Sequence, residues 1–180
     1  MRDEHPIIYD WVKDGSTIID LGCGDGDLLN TLRIHRFCLG LGIDKDAEFN
    51  GNIRYGLIDR KETYEIYEDN EFDYAICNVT LQMVGSPEIL LDEMFRISKY
   101  QIISFPNFAK WQNRLELLFK GRMPKWMLCG YKWYDTEHLH QLSIKDFEDY
   151  IKDRTIIKKH FLPNRPFPNL TAHTAIYLCK

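Results

Sequence analysis

The chain lacks the cysteine patterns that mark a metal or disulfide scaffold. Its five cysteines, Cys23, Cys38, Cys77, Cys129 and Cys179, are odd in number, widely scattered and form no CxxC pair. Neither a zinc site nor a disulfide framework is therefore expected, and no metal is assigned. Scattered reduced thiols of this kind suit a cytoplasmic protein. No apolar run approaches the ~18 residues needed to cross a bilayer, and the charged opening decapeptide has no apolar signal core, so no membrane role is expected. A large excess of either charge is also missing. The 23 basic and 27 acidic residues leave a net charge of −4, which makes no case for nucleic acid as a partner. There is no internal repeat and no low-complexity tract.

What remains is ordinary globular composition, 44% hydrophobic and 28% charged over 180 residues. That length is best read as one domain spanning 1–180, large enough to bury a core. Ile7 to Val12 reads as a short helix, followed by a turn at Asp14-Gly15-Ser16. Thr17-Ile18-Ile19-Asp20-Leu21 is a β-branched apolar run bounded by turn residues, the pattern of a strand buried on both faces. Gly22 to Gly26 breaks it, and Leu28, Leu29 and Leu32 then recur at helical spacing. Further strands are predicted at Cys38–Ile43, Ile53–Ile58, Phe72–Cys77 and Tyr100–Phe105, with a helix over Ser86–Arg96. Ser86 is placed as its N-cap and Pro87 in its first turn. Alternating strands and helices predict a mostly parallel sheet covered on both faces. Beyond it, helices are expected at Trp111–Phe119 and from Ser143 to about Asp153. Two last strands, Thr155–Ile157 and Thr174–Leu178, are joined by a proline-rich loop, which places one antiparallel strand in the sheet.

The string Asp20-Leu21-Gly22-Cys23-Gly24-Asp25-Gly26-Asp27 carries the chemistry. Glycines between a buried strand and a helix let the backbone approach a nucleotide-like ligand closely. The spacing is GxGxG, and Asp27 stands where a dinucleotide fingerprint would need its third glycine. Three carboxylates fall within these eight residues. A pyrophosphate would be drawn to the helix N-terminus but repelled by Asp25 and Asp27, at about 1–4 kcal/mol per close pair. S-adenosylmethionine (SAM) has a sulfonium, an ammonium and one carboxylate, with no phosphate, and fits an acidic loop better. Asp44 follows Gly24 by twenty residues, the offset of a carboxylate that grips ribose hydroxyls. Asp59, after the third strand, can accept from an adenine amino group. Both acidic residues also read as helix N-caps. Asn78, Val79 and Thr80 after the fourth strand, and Ser104 to Asn107 after the fifth, fall near the ligand end of the sheet. Asn78 is not followed by the Pro-Pro-aromatic signature of amino-methylating DNA enzymes.

The glycine string resembles the first motif of class I SAM-dependent methyltransferases. Further strings are similar to the methionine biosynthesis protein MetW family: Thr80–Val84, Ser104–Phe108, Gly121–Pro124, Trp133–Thr136, His140–Phe147 and Ala175–Tyr177. They cover nearly the whole chain in order. The resemblance implies a Rossmann-like α/β fold with a seven-strand sheet and a role in methionine biosynthesis. It also implies an association with homoserine O-acetyltransferase as partner or activator. Methyl transfer, yielding S-adenosylhomocysteine, is implied by the fold, and no methyl acceptor is. The expected cofactor residues are Asp20, Gly22, Cys23, Gly24, Asp25, Gly26, Asp44, Asp59 and Asn78.

For catalysis, His138, His140 and Tyr134 are the candidates, since a base is needed only if the acceptor must lose a proton. Two histidines in a polar loop also read as solvated or structural. The aromatic loop from Trp126 to Tyr134 reads as a roof over an acceptor pocket, a docking face or a satellite core. Lys110, Arg114, Lys120, Arg122, Lys125 and Lys132, interspersed with it, read more simply as a solvated face than as an RNA site. Little sequence precedes the first strand, so no N-terminal lid is expected. SAM then lies exposed unless the segment from Phe108 to Leu142 covers it.

Overall fold

A β-branched run can bury both of its faces only as an inner strand of a covered sheet, and β1 (Thr17–Leu21) occupies that position. The structure is a computed structural model that describes residues 3–46, 52–125 and 131–180. Trp126 and Cys129 lie outside the described residues. The remaining strands are β2 (Leu39–Asp44), β3 (Ile53–Tyr55), β4 (Phe72–Asn78), β5 (Ser98–Pro106), β6 (Ile156–Leu162) and β7 (Thr174–Cys179). They form one seven-stranded sheet in the order β3-β2-β1-β4-β5-β7-β6. All neighbours are parallel except β7, which runs against both β5 and β6. The single reversed strand is the one expected from the loop between the last two strands.

Side chains alternate across this sheet, and each face gathers its own core. Ile18, Ile76, Ile102 and Ile176 point to one face, where α1 (His5–Trp11) and α2 (Asp27–Arg36) cover them with Ile8, Leu28 and Leu32. Ile19, Ala75, Ile103, Phe105 and Tyr177 point to the other. There α3 (Pro87–Ile97) contributes Leu90 and Met94, and α5 (Ile144–Tyr150) contributes Phe147. The helix α4 (Trp111–Lys120) follows β5, and a short α6 (Pro168–Thr171) precedes β7. No helix among the described residues is long and apolar enough to cross a membrane.

Several boundaries differ from the sequence expectation, each for a local reason. The third strand stops at Tyr55 rather than Ile58 because it is a sheet edge, paired only with β2, and its outer residues are exposed. The edge strand β6 runs further than the expected Thr155–Ile157. Lys158, Lys159 and His160 lie within β6, and the exposed lysines hide the strand from an apolar pattern. Ser86 takes the N-cap position of α3, but its side chain makes no capping bond. Ser143 does cap. The Asp146 N–H donates to Ser143 Oγ at 3.2 Å, and the Ser143 N–H donates to Asp146 Oδ2 at 2.8 Å. This capping box starts α5, which ends at Tyr150 rather than Asp153. Ser143→Ala is expected to lower stability by about 1 kcal/mol, measured as a fall in the urea midpoint at unchanged m-value.

Candidate functional site

From β1 the chain moves outward to β2 and β3, then returns past β1 to β4. The loops after β1 and β4 therefore leave in opposite directions, which opens a crevice at the carboxyl ends of these strands. The glycine loop enters that crevice from β1. The Gly22 N–H donates to Ile43 O at 2.8 Å, and the Gly26 N–H donates to Cys23 O at 3.0 Å, closing the turn before α2. Gly22 has φ +80°, and a Cβ placed there would lie 2.4 Å from the Thr80 side chain. The β1 and β4 loops touch at this point, so only glycine fits. Gly24 also has a positive φ, +55°, yet a Cβ there would meet nothing within 4 Å. Its backbone faces open space, the cradle that close approach of a ligand requires.

Two clefts meet at Gly22, Gly24 and Asp25. The smaller, of about 300 Å³, is polar and lined by Asp20, Asp25, Asp27, Asn78 and His5. The larger, of about 980 Å³, carries Asp44, Asp59 and Lys45 beside an apolar wall of Ile53, Leu57, Ile58, Met83 and Val84. All nine residues expected to hold the cofactor sit in or on this loop and these clefts, with Gly26 closing the turn and beginning a third concavity on its outer side. Asp44 is already engaged. Its Oδ2 accepts from the Gly24 N–H at 2.8 Å and its Oδ1 from the Asp46 N–H at 3.0 Å, which ties the loop to the end of β2. Asp59 Oδ2 accepts from the Gly85 N–H at 2.9 Å. Cys23 is held mainly as the neutral thiol. Burial, then the negative charges of Asp20 and Asp44, push its thiol up to about 12.

The far wall of the crevice is set by β4 and β5. Asn78 is buried, and its Oδ1 accepts from Ser104 Oγ at 2.6 Å. The amide's oxygen is thus occupied. Ser104 also receives the Val79 N–H, at 3.0 Å on its carbonyl and 2.9 Å on its hydroxyl. Val79 adopts φ +55°, an unusual conformation for a β-branched residue. The Gln82 side-chain amide donates to Val79 O at 2.9 Å and completes the clamp. Nothing in the valine itself signals this.

Residues from distant parts of the chain also line the crevice. His5 of α1 lines the polar cleft, 3.9 Å from Asp27 Oδ2. Glu137 and Leu139 line the wide cleft. Their segment is fastened by the Leu139 and His140 N–H groups, both donating to Gln82 O at 2.9 and 3.1 Å. His5 thus adds an N-terminal side chain to the lining of the polar cleft, and part of the segment from Phe108 to Leu142 reaches the wide cleft. None of the catalytic candidates is itself among the residues lining the two clefts, although His138 lies between the lining residues Glu137 and Leu139. His140 lines a separate groove between α3 and α5, with Nε2 3.3 Å from Gly85 O. His138 is half-buried, and burial lowers its pKa. Tyr134 is exposed and stacks edge-on against Trp133 at 5.5 Å.

The sequence model of the methionine biosynthesis protein MetW family matches residues 2–177. The chain belongs to the MetW family. A curated relative, the bifunctional methionine biosynthesis protein MetXA/MetW of Rhodopirellula baltica, is 30% identical over 200 residues. That match covers 97% of this chain and 32% of the relative, so the MetW chain spans about a third of that protein. The fold is that of class I SAM-dependent methyltransferases. A SAM-dependent methyltransferase from Archaeoglobus fulgidus superposes with TM-score 0.68 at 14% identity, covering 98% of this chain and 90% of that one. The 1,6-didemethyltoxoflavin-N1-methyltransferase of Burkholderia thailandensis was solved with S-adenosylhomocysteine. It superposes with TM-score 0.65 at 11% identity, covering 99% and 76%. At such identities the likeness to these methyltransferases is one of fold alone.

Proposed function

We propose that this MetW-family chain binds SAM across the glycine loop and acts, in the cytoplasm, as a SAM-responsive subunit of homoserine O-acetyltransferase. The observation that carries the binding reading is the pair of clefts joined at Gly22 and Gly24. The polar, carboxylate-lined side suits the amino-acid end and sulfonium. The wider side suits a nucleoside, with Asp44 placed for ribose hydroxyls, Asp59 for an adenine amino group and an apolar wall for the base. Asn78 lines the polar cleft with its oxygen held by Ser104, which leaves its amide N–H groups as the donors it can offer the cofactor's carboxylate or the acceptor. The partner reading is supported by the Rhodopirellula baltica relative, whose name joins MetXA and MetW in one chain. SAM lies downstream of methionine, so its level is a suitable signal for an early step.

Methyl transfer is the second reading. It is favoured by the methyltransferase fold and by His5, a titratable group at the polar cleft. When bound, the cofactor would supply the electrophilic methyl. The protein's part is to hold donor and acceptor in line and to exclude water.

Calorimetric titration with SAM tests the site. Asp44→Ala is expected to weaken binding about 10- to 100-fold, the worth of hydrogen bonds to a charged group. Undiminished affinity would remove Asp44 from the site. Assaying homoserine O-acetyltransferase with and without this chain and SAM separates the two readings. Stimulation that depends on SAM supports the subunit. Conversion of SAM to S-adenosylhomocysteine with no effect on the acetyltransferase supports methyl transfer instead.

A further inference from the structure

The helix α4 is turned inside out. Surface helices bury an apolar stripe and present a polar face to water. In α4 the one buried residue is Asn113, 1% exposed, with Gln112 and Glu116 partly buried beside it. Trp111, Leu115, Leu118 and Phe119 recur at positions i, i+4, i+7 and i+8, and all are exposed. Leu118 keeps 74% and Phe119 76% of its surface. Its side-chain hydrogen bonds are mostly local, and Arg114 Nη2, donating to Asn169 O at 3.4 Å, reaches α6. Asn113 Nδ2 donates to Phe108 O at 2.9 Å, and Arg114 Nε donates to Ala109 O at 2.5 Å. Glu116 receives Arg122 at 2.8 Å and the Lys125 N–H at 3.2 Å, which secures the turn after the helix. A helix that displays an apolar stripe to solvent is a surface suited to being covered.

The charge around the stripe indicates what covers it. Between residues 110 and 125, Lys110, Arg114, Lys120, Arg122 and Lys125 oppose the single acidic Glu116, whereas the chain as a whole carries −4. Lys110 is buried, so the exposed rim is formed by the other basic residues. Two such faces brought together would set cationic rim against cationic rim, which disfavours a second copy. We propose that the exposed face of α4 docks into an apolar, acid-rimmed groove on the acetyltransferase proposed above as partner. This inference rests on that partner reading and adds the surface through which it works. Leu118 and Phe119 are the anchors, and Lys120 and Arg114 supply the charge match.

The test uses the whole chain and the homoserine O-acetyltransferase of the same genome, mixed and followed by light scattering and titration. The wild type is expected to form a complex. Leu118→Glu and Phe119→Ser are each expected to weaken it at least ~10-fold, as loss of an interface anchor does, with thermal unfolding unchanged. Lys120→Glu should weaken it at low salt and lose most of that effect at high salt. If both anchor variants bind like wild type, the docking face is wrong while the partner reading stands. If the wild type forms no complex, the partner reading fails and this inference with it. Self-association lost in Leu118→Glu would assign the face to a second copy and overturn the proposal. So would binding of wild type, but not Leu118→Glu, to vesicles containing anionic phospholipid.

Discussion

Calorimetry on Gly24→Arg is expected to show SAM affinity reduced by more than about 100-fold, a loss of roughly 3 kcal/mol. The protein should remain folded. Gly24 sits at the junction of the two clefts with φ +55° and open space where a side chain would begin. An arginine there would project into the cradle and place a cation among Asp20, Asp25 and Asp44, where the sulfonium and ammonium would otherwise be held. The stability cost is that of one non-glycine residue in the left-handed region, about 1–2 kcal/mol. For a chain of this length that lowers the thermal midpoint by about 2–8 °C. Unchanged affinity would mean that the ligand does not pass over the loop, and the site assignment would be lost.

Phe105→Ala is expected to have the largest effect on stability, about 3–5 kcal/mol by urea denaturation. Phe105 has no exposed surface and lies 4.8 Å from the Phe147 ring and 6.0 Å from the Tyr177 ring, with Phe147 and Tyr177 themselves 4.9 Å apart. This aromatic group joins β5, β7 and α5. Removing its centre leaves a cavity that three separate elements would have to close. Two residues on, Asn107 Oδ1 accepts from the Ala109 and Ile144 N–H groups at 3.2 and 3.4 Å, which ties the starts of α4 and α5 to the end of β5. A loss below about 1 kcal/mol would show that these elements collapse onto the gap and that the cluster is not a keystone.

The strands were legible wherever burial on both faces imposes an apolar run, as in Thr17–Leu21 and Phe72–Cys77. They were not legible at the edges, where β6 carries the exposed Lys158 and Lys159 and the partly exposed His160 in place of an apolar run. The glycine loop was legible because a positive φ at Gly22 and Gly24 leaves a local trace in residue type. Val79 adopts the same region with no such trace, because Ser104 and Gln82 hold it from a distance. His5, Glu137 and Leu139 reach the clefts from segments far apart in the chain, and no spacing rule connects them. His138, His140 and Tyr134 were proposed from chemistry alone, and none of them is itself among the residues lining the two clefts.

The helix after β5 shows where the two kinds of information part. A stripe at Trp111, Leu115 and Leu118 announces a helix with one apolar face, and periodicity says nothing about which way that face turns. Sequence by itself determined the order of strands and helices, the glycine loop and the acidic character of its lining, because each depends on residues close together in the chain. Tertiary structure alone decided that the apolar stripe of α4 faces outward, that Asp44 accepts from the Gly24 N–H, and that His5 of the N-terminal helix lines the polar cleft. These depend on contacts between segments tens of residues apart, whose meeting is settled by how the whole sheet and its two cores pack.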